Sequence, residues 1–215
     1  MAVRALEAPV VRNDDIRSAF REVCDMLPQH RVELINGRIV VNPLPTADRN
    51  RIAYRLLLQL LAFVQGEGWQ IWNDITLFMG PQRDRYRPDL TVVPAEPRMW
   101  AADHVHADQV LLAVEVVSAN SVTDDHDVKP RQYALGGVPL CLIVNVFARK
   151  VRLLSQPGAD GYEQETDVAL GRPIDLPEPW KLTLDTAAFT GTDAVFPGKG
   201  YGASNSPSSS RSVIS

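Results

Sequence analysis

The sequence predicts an α/β fold of the α+β type, a mixed sheet with helices against its faces, and three observations carry that prediction. Residues 88–93, 110–118 and 140–146 are short apolar runs rich in Val, Ile and Leu, as expected of strands covered on both faces. Residues 48–65 place Ile52, Leu56, Leu57, Leu60, Leu61 and Val64 at helical intervals, the signature of one long amphipathic helix. Helix- and strand-type segments then follow one another along the chain instead of separating into blocks.

Residues 1–12 read as a flexible lead-in. Asn13-Asp14-Asp15 offers a helix cap before Ile16, Phe20, Val23, Cys24 and Leu27, and Pro28 ends that helix. Arg31–Ile35 and Arg38–Asn42 flank Asn36-Gly37, the strongest short-range hairpin signal. The long helix follows and stops at Gly66 and Gly68. Residues 69–79 form a β-rich run expected as one strand, 82–87 a charged turn, and 88–93 a strand. Residues 94–108, with two prolines, read as a loose stretch before the strand at 110–118. A second helix is expected over 124–135, capped by Thr123 or Asp124, with Gly136-Gly137 as its stop and a strand at 140–146. Lys150–Leu154, Tyr162–Thr166 and Lys181–Leu184 are peripheral strands, and Asp185–Phe189 is at best a short helix. From Gly198 onward seven serines with few bulky residues read as a disordered tail. The expected division is a folded domain over 13–190 and a tail over 198–215.

The 215 residues suffice for a substantial core, and 45% hydrophobic with 22% charged residues is ordinary globular composition. A net charge of -4 speaks against a uniformly basic nucleic-acid-binding surface, although a local basic channel remains compatible with it. Two cysteines form no disulfide framework or zinc spacing, so a reducing cytoplasm is the expected setting. No window is apolar enough for a membrane span, and the first residues lack a signal-peptide pattern.

Two carboxylates stand out. Asp89 and Glu115 each sit in an apolar strand, where an unpaired charge is costly. If the strands are neighbours, a hard divalent cation such as Mg²⁺ resolves the repulsion. Lys129, one helical turn after Asp125 and one before Tyr133, offers a fixed positive charge. Taken singly, Asp89 and Lys129 have plainer readings, as a strand-start aspartate accepting backbone hydrogen bonds and a solvated lysine paired with Asp125. Glu115 is harder to read plainly, since glutamate is rarely buried unpaired. Glu33 is either a supporting acidic residue or an exposed strand charge. His104-x-His106 with Asp103 and Asp108 reads as a solvated loop, Ser118 as a turn serine without a base, and Trp69, Trp72, Trp100 and Trp180 as packing.

Pro88-Asp89, then Val114-Glu115-Val116-Val117-Ser118, then Asp125-x-x-x-Lys129-x-x-x-Tyr133, then Gly137-Val138-Pro139, preceded by the hairpin Val32–Val40, resemble the Uma2 family of the PD-(D/E)XK, restriction-endonuclease-like superfamily. The likeness runs from about residue 31 to about residue 165. It implies a core of helix, three strands, helix and strand, and Mg²⁺-dependent hydrolysis of DNA phosphodiester bonds, with Mn²⁺ as a substitute. It assigns Asp89 and Glu115 as metal ligands, with the Val116 carbonyl as a further one, and Lys129 as the residue orienting the attacking water. The superfamily's usual lysine position, two residues after the glutamate, is Val117; Lys129 is its displaced equivalent. Asp125, Tyr133 and Glu33 are supporting candidates. Where members usually carry a histidine at the start of the long helix this chain has Arg49, and its last core strand closes on Asn145. DNA is the expected partner, and a homodimer suits cutting both strands. The alternatives are a catalytically weak or silent nuclease-fold module for binding or dimerisation, and a metal-dependent hydrolase of another phosphoester.

Overall fold

A computed structural model describes residues 13–42, 45–80, 84–117 and 127–190. The lead-in, the serine-rich tail, Ser118 and Asp125 lie outside the described residues. The helices are α1 (Asn13–Met26), α2 (Ala47–Gly66) and α3 (Lys129–Leu135). Strands β1 (Arg31–Ile35), β2 (Arg38–Asn42), β4 (Thr76–Phe78), β5 (Arg85–Tyr86), β7 (Met99–Ala101) and β8 (His104–His106) form one sheet in the order β2-β1-β5-β4-β8-β7. Strands β3 (Gln70–Trp72), β6 (Leu90–Val93), β9 (Leu112–Val116), β10 (Leu140–Asn145), β11 (Lys150–Gly158) and β12 (Gly161–Ala169) form a second, in the order β12-β11-β10-β9-β6-β3. β13 (Ile174–Leu176) and β14 (Leu182–Leu184) make a small third sheet.

The second sheet contains the expected core. β3, β6 and β9 run antiparallel in turn, and β10 joins β9 in parallel after α3, the arrangement a crossover helix permits. One face receives α2: Ile52, Leu56, Leu60 and Val64 pack against Leu90, Val92, Leu112, Val114 and Leu142. Leu56 and Leu60 have no exposed surface, and each such burial contributes roughly 1.5–3 kcal/mol. The opposite face, bearing Val93, Ala113, Val117, Cys141 and Ile143, packs against α3 and the inner face of the first sheet through Tyr133, Leu77, Tyr86 and Val105.

Turn chemistry fixes the elements that matter for the site. Asn36 and Gly37 both have positive φ (48° and 71°), as a two-residue hairpin requires. The buried Asp84 carboxylate accepts both their amides, at 2.7 and 3.3 Å, tying the hairpin to β5. α2 begins at Thr46, whose Oγ1 accepts the Arg49 amide at 3.3 Å. It ends at Gly68 (φ 71°), where the Trp69 amide reaches back to the Val64 carbonyl. Thr46→Ala is expected to lower stability by about 1 kcal/mol in urea unfolding, through loss of this cap.

Several expectations need correction. The run 69–79 is two strands in different sheets, because Asp74 at φ 57° turns the chain between β3 and β4. The turn expected at 82–87 contains β5, and the loose stretch 94–108 contains the β7–β8 hairpin, so His104 and His106 lie on a strand. Asp89 stands one residue before β6 instead of within it. The peripheral strands extend to Lys150–Gly158 and Gly161–Ala169, and β13 was not anticipated. Among the described residues, no helix is long and apolar enough to cross a membrane.

Candidate functional site

At the seam between the two large sheets, side chains from β1, the segment before β6, β9, α2 and α3 meet. Alternation fixes their directions. Residues 113, 115 and 117 share one face of β9, and Leu90 pairs with Val114, which sets Asp89 beside Glu115 on that face. On β1, Val32 and Leu34 pack under α1 while Glu33 and Ile35 face the opposite way, toward the seam.

Asp89 is held from several sides. Its Oδ2 accepts the Val116 amide at 2.7 Å, and its own amide donates to the Val114 carbonyl at 2.9 Å. Its Oδ1 receives Arg31 Nη1 at 2.9 Å and lies 2.6 Å from Arg49 Nε. Arg31 is further tied down by donating to the carbonyls of Pro88 (3.1 Å) and Arg87. The only partners found for the Arg49 side chain among the described residues are Asp89 and, at 3.9 Å, Glu115. Its Nε, although close, makes no aligned hydrogen bond.

Glu115 is completely buried. Its Oε1 accepts the Tyr133 hydroxyl, and Lys129 Nζ lies 3.4 and 3.5 Å from its two oxygens. Lys129, 2% exposed, also reaches Glu33 Oε1 at 3.1 Å. Glu33 in turn accepts the Arg87 amide and Asn42 Nδ2, both at 2.6 Å. Lys129 opens α3, and Tyr133 follows one turn later on the same face.

Among the described residues, three buried carboxylates (Glu33, Asp89, Glu115) thus meet three cations (Arg31, Arg49, Lys129), with the exposed Asp74 3.8 Å from Arg31 at the edge. Burial works against the charge on Arg31, yet Asp89, then Glu33 and Glu115, outweigh it and raise its pKa. The same contest, decided chiefly by Asp89, raises Arg49. Burial, then the charges of Glu115 and Glu33, push Tyr133 well above its ordinary value, so it stays a hydrogen-bond donor to Glu115.

The structure therefore brings Asp89, Glu115, Lys129, Tyr133 and Glu33 together. The Val116 backbone contributes its N–H to Asp89. Asn145 stands apart, its Oδ1 accepting the Ala148 amide at the β10–β11 turn. Sequence reasoning missed Arg31 altogether and noted Arg49 only as a departure. Arg31 carried a usable signal, since it shares a strand face with Glu33 by the two-residue period.

The donor set suits a divalent ion in kind: carboxylate oxygens from two adjacent strands, the hard ligands Mg²⁺ takes in ones or twos. No group of three or more His, Cys, Asp or Glu with metal-holding geometry occurs among the described residues, so an ion here would complete its shell with water or substrate oxygen. The fit carries a condition, because guanidinium groups already neutralise Asp89. Arg49, poorly aligned and without a backbone anchor for its side chain among the described residues, is the one able to yield.

A family model described as "Uma2: Putative restriction endonuclease" matches residues 18–187. Among solved structures, a "putative nuclease belonging to DUF820" from Anabaena variabilis ATCC 29413 superposes with a TM-score of 0.61. The two share 14% sequence identity over 74% of this chain and 88% of that one, a likeness of fold. No curated protein sequence matches.

Proposed function

Since the chain belongs to the Uma2 family, whose model is described as "Putative restriction endonuclease", we propose that it is a Mg²⁺-dependent endonuclease hydrolysing DNA phosphodiester bonds. The observation that carries this reading is the convergence of Asp89 and Glu115 on one sheet face with the Lys129 ammonium against Glu115. Asp89 and Glu115 would hold the ion, which lowers the pKa of a bound water and neutralises charge on a phosphoryl oxygen. Tyr133 fixes the orientation of Glu115 through its hydroxyl. Glu33 holds Lys129 beside Glu115, where the ammonium offsets negative charge developing on the phosphate. Arg49, on leaving Asp89, supplies a guanidinium at the mouth of the cluster, a group well matched to a backbone phosphate. Mn²⁺ substitutes for Mg²⁺ in this scheme, and a homodimer would place two such sites on the two strands.

A second reading has its own observation. Among the described residues, the three buried carboxylates each already face a cation without any metal ion, as a silent nuclease-fold binding module would need. Plasmid and linear DNA incubated with Mg²⁺ or Mn²⁺ separate the two. Cutting by the wild type, reduced roughly 10²–10³-fold in Asp89→Ala and Lys129→Ala, supports the nuclease. Cutting that survives in both variants removes these residues from the site, and a wild type inert with every divalent ion favours the binding module.

A further inference from the structure

The outer face of the first sheet, opposite the carboxylate cluster, carries a cavity of about 540 Å³, a size typical of small-ligand sites. α1 forms one wall with Arg17, Phe20 and Arg21, and the sheet supplies Phe78, Trp100 and His104. Arg85, on its floor, sets its guanidinium over the rings of Trp100, Phe20 and Phe78 at 5.0, 5.3 and 5.7 Å, which fixes the aromatic walls through cation–π attraction. Trp100 stacks on Phe78 with ring centroids 4.6 Å apart and 14° between planes, and still leaves 47% of its surface exposed.

A large exposed indole clamped in this way is costly to leave in water and suits a planar partner. The rim adds charge through the exposed Arg21 of α1. His104 lines the wall and is itself held in place. Its Nδ1 lies 2.6 Å from Asp103 Oδ1, while its buried Nε2 has no hydrogen-bond partner among the described residues. Burial pulls the imidazole below its ordinary pKa, so the neutral ring assigned from this contact donates from Nδ1 to Asp103 and keeps Nε2 as an acceptor.

We propose that this pocket binds a nucleobase together with its phosphate. The base lies against the exposed indole of the Trp100–Phe78 pair, and the phosphate rests on Arg21 at the rim. The pocket is a second nucleic-acid contact, on the face away from the carboxylates, and its identification with a DNA strand rests on the nuclease reading. Aromatic stacking and arginine together are how single strands are held without base-specific readout.

Fluorescence anisotropy of a labelled oligothymidylate, in EDTA so that nothing is cut, tests the pocket. Wild type is expected to bind, Trp100→Ala about tenfold or more weakly, and Trp100→Phe nearly as well as wild type. An abasic oligomer of the same length should bind wild type as weakly as oligothymidylate binds Trp100→Ala. Arg21→Ala should flatten the salt dependence. Competition by thymidine monophosphate identifies a free nucleotide as sufficient, and resistance to it identifies a strand. Thermal melts of each variant verify folding. The pocket is overturned if wild type fails to bind, or if neither Trp100→Ala nor the abasic oligomer changes the affinity. Asp89→Asn, which keeps an oxygen for the Val116 amide, should leave this binding intact. Trp100-dependent binding by a chain that never cuts DNA would therefore discard the nuclease reading and keep the pocket, and cutting without Trp100 dependence would do the reverse.

Discussion

Lys129→Met is expected to destabilise the folded chain by about 3–5 kcal/mol, the usual cost of leaving a buried charge without its partner. The methionine keeps the apolar stem and removes only the ammonium that lies 3.1 Å from Glu33 and 3.4 Å from Glu115. Both glutamates are at most 1% exposed, so water cannot compensate them. The remaining cations are committed mainly to Asp89; Arg49 reaches Glu115 at only 3.9 Å. Urea unfolding measures the loss. A divalent cation should return part of it, seen as a larger Mg²⁺-dependent rise in Tm for Lys129→Met than for wild type, because binding to the native state alone is stabilising. A variant as stable as wild type would sink the claim that the ammonium compensates this pair.

Arg49→Ala should strengthen divalent-ion binding by at least about tenfold, since it leaves the cluster with one uncompensated negative charge around Asp89. Arg49 is the natural choice because, among the described residues, its side chain is held by the two carboxylates an ion would use, whereas Arg31 is also anchored on the carbonyls of Arg87 and Pro88. Calorimetric titration with Mn²⁺ reads the change without requiring activity. Arg49→Lys, which restores a cation, should return the affinity toward the wild-type value. Equal Mn²⁺ affinity in wild type and Arg49→Ala would show that the guanidinium does not compete for the site.

Much of the fold was legible because its strongest signals are local. Asn36-Gly37 fixes a hairpin through its own backbone preferences, and the heptad-like leucines of α2 declare a buried face. The break at Asp74 was hidden because Trp69–Met79 is apolar on both sides of it, and each half finds its partner in a different sheet. β7 and β8 are three residues each, too short to announce their hairpin, and β8 is secured by parallel pairing with β4, a relation no local window contains. The same distinction applies to the site. The order of Asp89, Glu115 and Lys129 along the chain was visible, but Arg31 meets Asp89 across 58 positions. Asp84, read as part of a charged turn, is buried because it caps a hairpin some 48 residues away.

The bond from the Val116 amide to Asp89 Oδ2 splices two strands with a side chain just past the last backbone bond between them, from the Asp89 amide to the Val114 carbonyl. The β6–β9 pairing ends at Leu90 and Val114, and the carboxylate adds one more rung. Alanine at this position therefore removes a piece of sheet along with the charge, and asparagine is the matched control: its carbonyl oxygen can still receive the Val116 amide while the negative charge is gone. Comparing the two separates what Asp89 does as a joint in the scaffold from what it does as an ion.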